Sequence, residues 1–136
     1  MSEGKIKLKI VTHQSVLFEH DVDEIYTQGV DGRFGVLKNH IPFVTALDVG
    51  VTKLIDAGKA IYLTTMGGIF QFKDNEATIL TDVAEIGDNI DIVRAKEAKE
   101  RAEARLRAKS ESVQIARAEI ALAKAIARIS AAEKKL

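Results

Sequence analysis

Residues 87–96 read GDNIDIVRAK, and the chain changes character across this stretch. Its aspartate and asparagine side chains suit a helix start, because their oxygens can accept hydrogen bonds from the first free backbone N–H groups. From residue 91 to residue 136 there is no Gly, no Pro and no aromatic residue, and 13 residues are Ala. We therefore expect two domains: a head, residues 1–86, and a helical tail, residues 87–136.

Charge divides at the same place. Residues 1–90 carry 8 Lys and Arg against 13 Asp and Glu, whereas residues 91–136 carry 12 against 7. The chain has no Cys, which excludes disulfides and thiolate metal sites. It also lacks a signal-type apolar start and any run of 18 apolar residues. These features predict a cytoplasmic chain that meets a membrane only through its partners.

The head is predicted to be an antiparallel β-sandwich or barrel. Ile6, Leu8 and Ile10 alternate with lysines, so the three apolar side chains face one side. Gly67 and Gly68 are predicted to form a tight turn or a bulge. Further short segments of strand type, separated by turn signals, lie at residues 16–18, 22–27, 33–37, 43–47, 51–55, 60–66, 69–72 and 77–83.

The tail is predicted to hold helices over residues 91–109 and 113–133, with a weak link at Ser110. Either a two-helix hairpin or one long helix fits, since neither Gly nor Pro forces a break. A hairpin with so much Ala buries little area, so its seam supplies only about a few kcal/mol before chain entropy is counted. The expected inward residues are Ile92, Ala95, Ala102 and Leu106 on the first helix and Ile115, Leu122, Ile126 and Ile129 on the second.

No catalytic or metal-binding pattern is present. The sequence lacks a phosphate-binding loop, a dinucleotide-binding glycine motif and paired histidines at metal-ligand spacing. His13, His20 and His40 are scattered over strand and loop segments, where structural roles are the usual ones. We expect a non-catalytic chain with no metal and no required cofactor.

Four segments together resemble one family. Residues 32–42, GRFGVLKNHIP, are similar to the G-x-x-G-[IV]-L-x-x-H-x-P stretch of the epsilon subunit of F-type rotary ATP synthases. Residues 64–70, TTMGGIF, resemble that family's strand with a glycine pair. Residues 90–95, IDIVRA, match its I-D-x-x-R-A helix start, and residues 117–122, RAEIAL, match its R-A-E-x-A-L segment. The resemblance spans essentially the whole chain in the right order.

The resemblance implies a non-catalytic rotor subunit of the membrane complex that makes ATP from ADP with a transmembrane proton gradient. The head would sit on the gamma subunit beside the c-ring, at the cytoplasmic face of the cell membrane. The tail would switch between a compact hairpin and an extended form that contacts the alpha/beta catalytic subunits and inhibits ATP hydrolysis. The partner-contact residues expected from the match are Gly32, Gly35, His40 and Pro42 in the head and Arg117 and Arg128 in the tail. From pattern alone, residues 31–42 are interpreted as a shaped loop between strands in preference to a docking corner for another subunit.

Some members of this family bind regulatory ATP on the folded hairpin. The positions that match their site are Glu85, Ile90, Asp91, Arg94, Ala95, Arg101, Lys124 and Arg128. Lys124 replaces an Arg of the strong binders, and it keeps the charge but loses the planar fork that grips phosphate. The plainer interpretation is that Asp91 and Arg94 only stabilise the helix start.

Two other functions fit parts of the sequence. A β-sandwich ligand-binding module with a coiled-coil dimerisation tail is supported by the heptad spacing of Ile115, Leu122, Ile129 and Leu136, but the first helix does not sustain it. A nucleic-acid binder would use the basic tail. The tail has no aromatic residue to stack on bases and carries seven carboxylates, so we expect no nucleic-acid partner.

Overall fold

The computed structural model describes residues 4–108 and 112–136. Eight strands come first, then a short 3₁₀ turn, then two helices. In chain order they are β1 Ile6–Val11, β2 Val16–Val22, β3 Glu24–Gly29, β4 Gly32–Leu37, β5 Phe43–Asp56, β6 Lys59–Lys73, β7 Glu76–Leu80, β8 Ala84–Ile86, the 3₁₀ turn Gly87–Asn89, α1 Ile92–Arg107 and α2 Ser112–Ala132. The predicted weak link at Ser110 lies outside the described residues.

The head is an open sheet folded into a β-sandwich, as the sequence predicts. Its strand order is β2-β1-β7-β6-β5-β3-β4, with β8 added beside β6. The long strands β5 and β6 belong to both layers, since the first half of β6 pairs with β8 and its second half with β7. The prediction of purely antiparallel pairing is wrong at one place: β1 and β7 run parallel. They are far apart in sequence, so no tight turn imposes the opposite direction.

The glycine pair on β6 is neither a turn nor a bulge. β6 continues through it, and the pairs Leu47–Gly68 and Val49–Met66 keep one register on both sides, so no residue is inserted. Gly67 and Gly68 have φ of 80° and 117°, and a Cβ on Gly68 would lie 1.9 Å from the carbonyl oxygen of Leu80. Glycine is required here because β6 changes neighbours from β8 to β7 at this point.

The core lies between the two layers. Ile6, Leu8 and Ile10 are fully buried, which confirms the alternation expected for β1. They join a single cluster with Phe70 and Phe72 and with apolar residues of the second layer. Three buried threonines on β3, β5 and β6 form a hydrogen-bonded chain within the head. The Oγ1 atom of Thr52 lies 2.8 Å from that of Thr27 and 3.1 Å from that of Thr65.

An ion cluster ties the layers together at one edge. Lys5 Nζ donates a hydrogen bond to Asp56, and His20 Nε2 lies 3.2 Å from the other oxygen of the same carboxylate. The Lys5 hydrogen bond holds the pKa of Asp56 below its usual value, with a smaller contribution from His20. The same hydrogen bond raises the pKa of Lys5. Asp23 Oδ2 accepts from the backbone N–H of Ala57, in the predicted glycine-containing turn between β5 and β6.

The tail is a hairpin rather than one long helix. α1 packs along α2, and α2 also contacts β5, β6, β8 and the 3₁₀ turn. Asp91 caps α1, since its Oδ1 accepts from the backbone N–H of Arg94 at 3.1 Å, as the sequence predicts. The expectation for Ile126 is wrong, because 45% of it is exposed. The buried residues of the described parts of α1 and α2 are instead all alanines: Ala95, Ala102, Ala118, Ala125, Ala127 and Ala131.

Candidate functional site

A cleft of about 490 Å³ lies where the two helices meet the end of the head. This volume is in the range of small-molecule sites in proteins. Four parts of the chain supply its walls: β8, the segment entering α1, α1 itself and the second half of α2. Its lining residues are Glu85, Asn89, Ile90, Asp91, Arg94, Ala95, Ala98, Arg101 and Arg128.

The α1 wall follows from helical spacing. Arg94, Ala98 and Arg101 are separated by four and then three residues, so they share one face of the helix. Both arginines are exposed, whereas Ala95 beside them is buried. The small side chains at 95 and 98 leave the floor open. The two guanidinium groups at its rim are suited to an anion with several oxygen atoms.

Arg128 brings α2 to the same cleft. Its Nε donates to Glu85 Oε1 at 2.6 Å, and the two side chains are 33% and 37% exposed. This ion pair joins the second helix to β8, because β8 is held on β6 by the backbone pairs of residues 84–86. The cleft therefore contains three arginines and two carboxylates. Glu85 is bonded to Arg128, and Asp91 is bonded to the helix backbone.

Seven of the eight residues predicted for a nucleotide site line this cleft. The exception is Lys124, which is half-buried on α2 but is not part of the lining. Asn89 and Ala98 were not predicted. Ala98 could have been found from its helical spacing with Arg94 and Arg101. Asn89 lies just outside the family motif, and only the path of the 3₁₀ turn brings it to the cleft.

A second candidate surface is a row of apolar side chains across the outer face of one layer. Neighbouring members of the row are direct partners on adjacent strands. The one exception is Val30, at the end of the row, whose backbone N–H donates to the carbonyl oxygen of Ala46. Direct partners point to the same side of a sheet, so the row is continuous. The apolar row consists of Val16, Val11, Leu80, Ile69, Ala46 and Val30.

Solvent reaches most of this row. Val16 is 50% exposed, Ile69 45%, Leu80 44% and Val30 55%. Single exposed apolar residues are ordinary on protein surfaces, but a contiguous set marks an interaction surface. The next pair along the same two strands, Gln71 and Thr78, is polar. The apolar row is therefore a band at one end of the layer.

The residues predicted from 32–42 have two kinds of environment. Gly32 ends the turn beside Val30, next to the apolar row, and Pro42 is exposed in the loop before β5. Gly35 lies under Tyr26, whose ring would be 2.6 Å from an added Cβ. The His40 ring packs on Phe43, and its Nδ1–H donates to the carbonyl oxygen of Ile41 at 2.8 Å. Gly35 and His40 therefore serve packing within the head, as the loop interpretation expects, and partner contact by this segment stays a prediction.

The described residues show no metal site. No group of three or more His, Asp or Glu side chains in residues 4–108 and 112–136 is arranged to hold an ion. In the same part of the chain, no helix is long and apolar enough to cross a bilayer.

Comparison with known families decides the relationship. A family model described as ATP synthase, Delta/Epsilon chain, beta-sandwich domain matches residues 5–87. A second, described as ATP synthase, Delta/Epsilon chain, long alpha-helix domain, matches residues 88–133. The chain belongs to the ATP synthase delta/epsilon family. The resemblance inferred from the sequence motifs is thereby confirmed.

Relatives of this family match over most or all of their length. The ATP synthase epsilon chain of Desulforamulus reducens is 45% identical over 93% of this chain and 96% of its own. That of Syntrophomonas wolfei subsp. wolfei is 41% identical over the whole of both chains. A chain in the cryo-EM structure of the Euglena gracilis mitochondrial ATP synthase, OSCP/F1/c-ring, matches with a TM-score of 0.83. It is 26% identical, covering 98% of this chain and 84% of that one.

Proposed function

We propose that this chain is the non-catalytic central-stalk subunit of a rotary ATP synthase, peripheral at the cytoplasmic face of the cell membrane. The complex makes ATP from ADP with a transmembrane proton gradient. In it the head couples the catalytic subunits to the c-ring, and the tail restrains ATP hydrolysis. The observation that carries this proposal is the match of both halves, in order, to the two domains of one ATP synthase subunit family.

The head docks on the gamma subunit through the apolar row. This surface is contiguous and exposed, and it lies beside Gly32 in the segment that carries the family motif. Burying half-exposed Ile and Leu side chains against a partner is worth on the order of 1 kcal/mol each. A row of six residues therefore provides the centre of an interface, while charged residues on the same face form its rim.

Introducing charged side chains into the apolar row tests the docking proposal. A double variant, Ile69→Glu with Leu80→Glu, should weaken binding of the full chain to purified gamma subunit by at least about tenfold, because a buried charge must lose its water. The matched control is Gln71→Glu with Thr78→Glu, the next pair on the same strands and face. Equal weakening by both pairs, or by neither, would contradict docking through the row.

The tail inhibits ATP hydrolysis when it changes from the compact hairpin to the extended form. Arg117 is exposed on α2, whereas Arg128 is held by Glu85 and becomes available to a partner only when that ion pair opens. A complex assembled with a chain lacking residues 89–136 should hydrolyse ATP faster than the intact complex. Arg117→Glu should give part of that increase, and Lys135→Glu at the exposed end of the tail should give none. An unchanged hydrolysis rate after the deletion would contradict the brake.

ATP binds the cleft and favours the compact hairpin. Arg94 and Arg101 on α1 and Arg128 on α2 line one cleft only while the helices are folded together, so a bound polyanion would bridge them. Such a ligand shifts the tail toward the compact form by its difference in affinity for the two forms.

Calorimetry of the isolated chain with ATP tests the site. Arg94→Ala or Arg101→Ala should weaken binding by about tenfold or more, since each removes a charge-assisted contact. Arg105→Ala is the control, one turn further on the same helix and outside the cleft. Lys124→Arg should tighten binding if its position reaches the phosphates. Absence of heat at millimolar ATP, or equal affinity after loss of Arg94, would contradict nucleotide binding.

A further inference from the structure

The C-terminal end of α2 passes unusually close to the connection between head and tail. A Cβ built on Gly87 would lie 2.3 Å from the carbonyl oxygen of Ala131 and 2.8 Å from its carbonyl carbon. It would also lie 3.1 Å from the carbonyl oxygen of Tyr62 on β6. Head, connection and tail therefore converge on one residue, and all the atoms in the way are backbone atoms.

The backbone of Gly87 itself does not require glycine. Its φ lies outside the left-handed region, unlike those of Gly67 and Gly68. An alanine at position 87 is thus compatible with the local conformation as long as α2 is elsewhere. The two closest contacts come from the docked α2, whereas the carbonyl oxygen of Tyr62 would need to shift by only about a few tenths of an ångström.

We propose that Gly87 is the residue that permits the tail to close on the head, so that any side chain there selects the undocked tail. This inference rests on the proposed switching of the tail. Beyond that proposal, it assigns control of the switch to a contact outside the nucleotide cleft, because Gly87 and Ala131 are not among the cleft-lining residues. The clash cannot be relieved by a side-chain rotation. It requires the last turn of α2 to move.

Closure can be measured without nucleotide and without partners. The chain has no Cys, so one introduced Cys is its only thiol. Ala118 and Ala127 are buried, at 1% and 5% exposure. They are nine residues apart on α2 and so lie on opposite sides of the helix. The rate at which maleimide labels the single variants Ala118→Cys and Ala127→Cys therefore reports whether either side of α2 has become exposed to solvent.

With Gly87→Ala added, at least one reporter should label about tenfold faster or more, because overpacking by one methyl group against backbone favours the open form. Gly87→Ser should increase the rate further. Asp88→Ala is the matched control: it changes the next residue of the same 3₁₀ turn and removes only an exposed ion pair with Lys134, at 3.8 Å, whose attraction solvent screens. The cooperative thermal transition of the head should persist in all of these variants, which separates undocking from misfolding.

Unchanged labelling of both reporters in Gly87→Ala and Gly87→Ser would overturn the proposal. So would equal acceleration by Asp88→Ala. The proposed ATP site is examined separately by repeating the labelling with millimolar ATP. If ATP slows labelling of the parent reporters, it should also slow labelling of Gly87→Ala, and the apparent ATP affinity should fall in proportion to the loss of the closed population. If ATP has no effect on any reporter, the ATP site fails while the role of Gly87 stands on the nucleotide-free rates.

Discussion

The head and the tail bury different kinds of side chain. In the head, Phe70, Leu8 and Ile79 are among the large residues with no exposed surface, whereas the buried residues of the described parts of α1 and α2 are alanines. A buried Phe or Leu contributes several times more hydrophobic free energy than a methyl group does. The head can therefore keep its shape while the tail detaches. The proposed function, in which the head stays on the rotor while the tail is released, requires this difference.

The largest expected effect comes from the head core. Phe70→Ala removes a ring that packs edge-on against Phe34 and stacks with Phe43. Its loss should lower the free energy of unfolding of the head by about 3–5 kcal/mol. Denaturant unfolding followed by a head-specific probe measures this. A loss below about 1 kcal/mol would mean that the head is not held by this core.

A charged side chain placed among the buried alanines of the tail (the alanine seam) should affect the tail without affecting the head. Ala125 is 1% exposed, so Ala125→Glu must either bury a carboxylate or open the hairpin. Because the seam contributes little, we expect opening: amide hydrogen exchange in α2 should rise by at least about tenfold while exchange in β1 and β6 stays unchanged. Ala123→Glu, at an exposed position of the same helix, is the control. Parallel loss of protection in the head would show that the regions unfold as one unit.

The ion cluster at the edge of the sandwich should affect the head alone, through pH. The folded pKa of Asp56 is lowered by Lys5, so this carboxylate stabilises the head above its unfolded pKa of about 3.9 and the stabilisation is lost as pH falls through the folded value. Asp56→Asn should therefore melt below the parent at pH 7, and the difference should shrink in acid. A difference that is constant down to the acid limit would contradict this assignment.

Sequence patterns anticipated the periodic features of both regions. Alternation in β1 and the capping Asp91 are local signals, and the motif residues 90–95 indicated the cleft without any knowledge of its walls. The apolar row could not be predicted, because Val30, Ala46, Ile69 and Leu80 become neighbours only through strand pairings that local patterns do not specify. The error at Ile126 likewise arises because local patterns do not specify which elements pack together. Burial in the tail follows the close approach of alanine faces rather than the size of the side chains.

The smallest expected effect is at the ion pair that joins the two regions. Glu85 and Arg128 are each about one-third exposed, so solvent screens their attraction and the pair should be worth less than about 1 kcal/mol. Glu85→Gln and Arg128→Gln should each raise amide hydrogen exchange in α2 only a few-fold, and the free-energy effect of the double variant should not exceed the sum of the two single effects.

Since Arg128 also lines the cleft, its substitution should weaken ATP binding more than it loosens the tail. Glu85→Gln leaves all three arginines of the cleft in place, so it should weaken ATP binding less than Arg128→Gln does. If Glu85→Gln instead opened the tail as fully as Ala125→Glu, the ion pair rather than the alanine seam would hold the tail on the head.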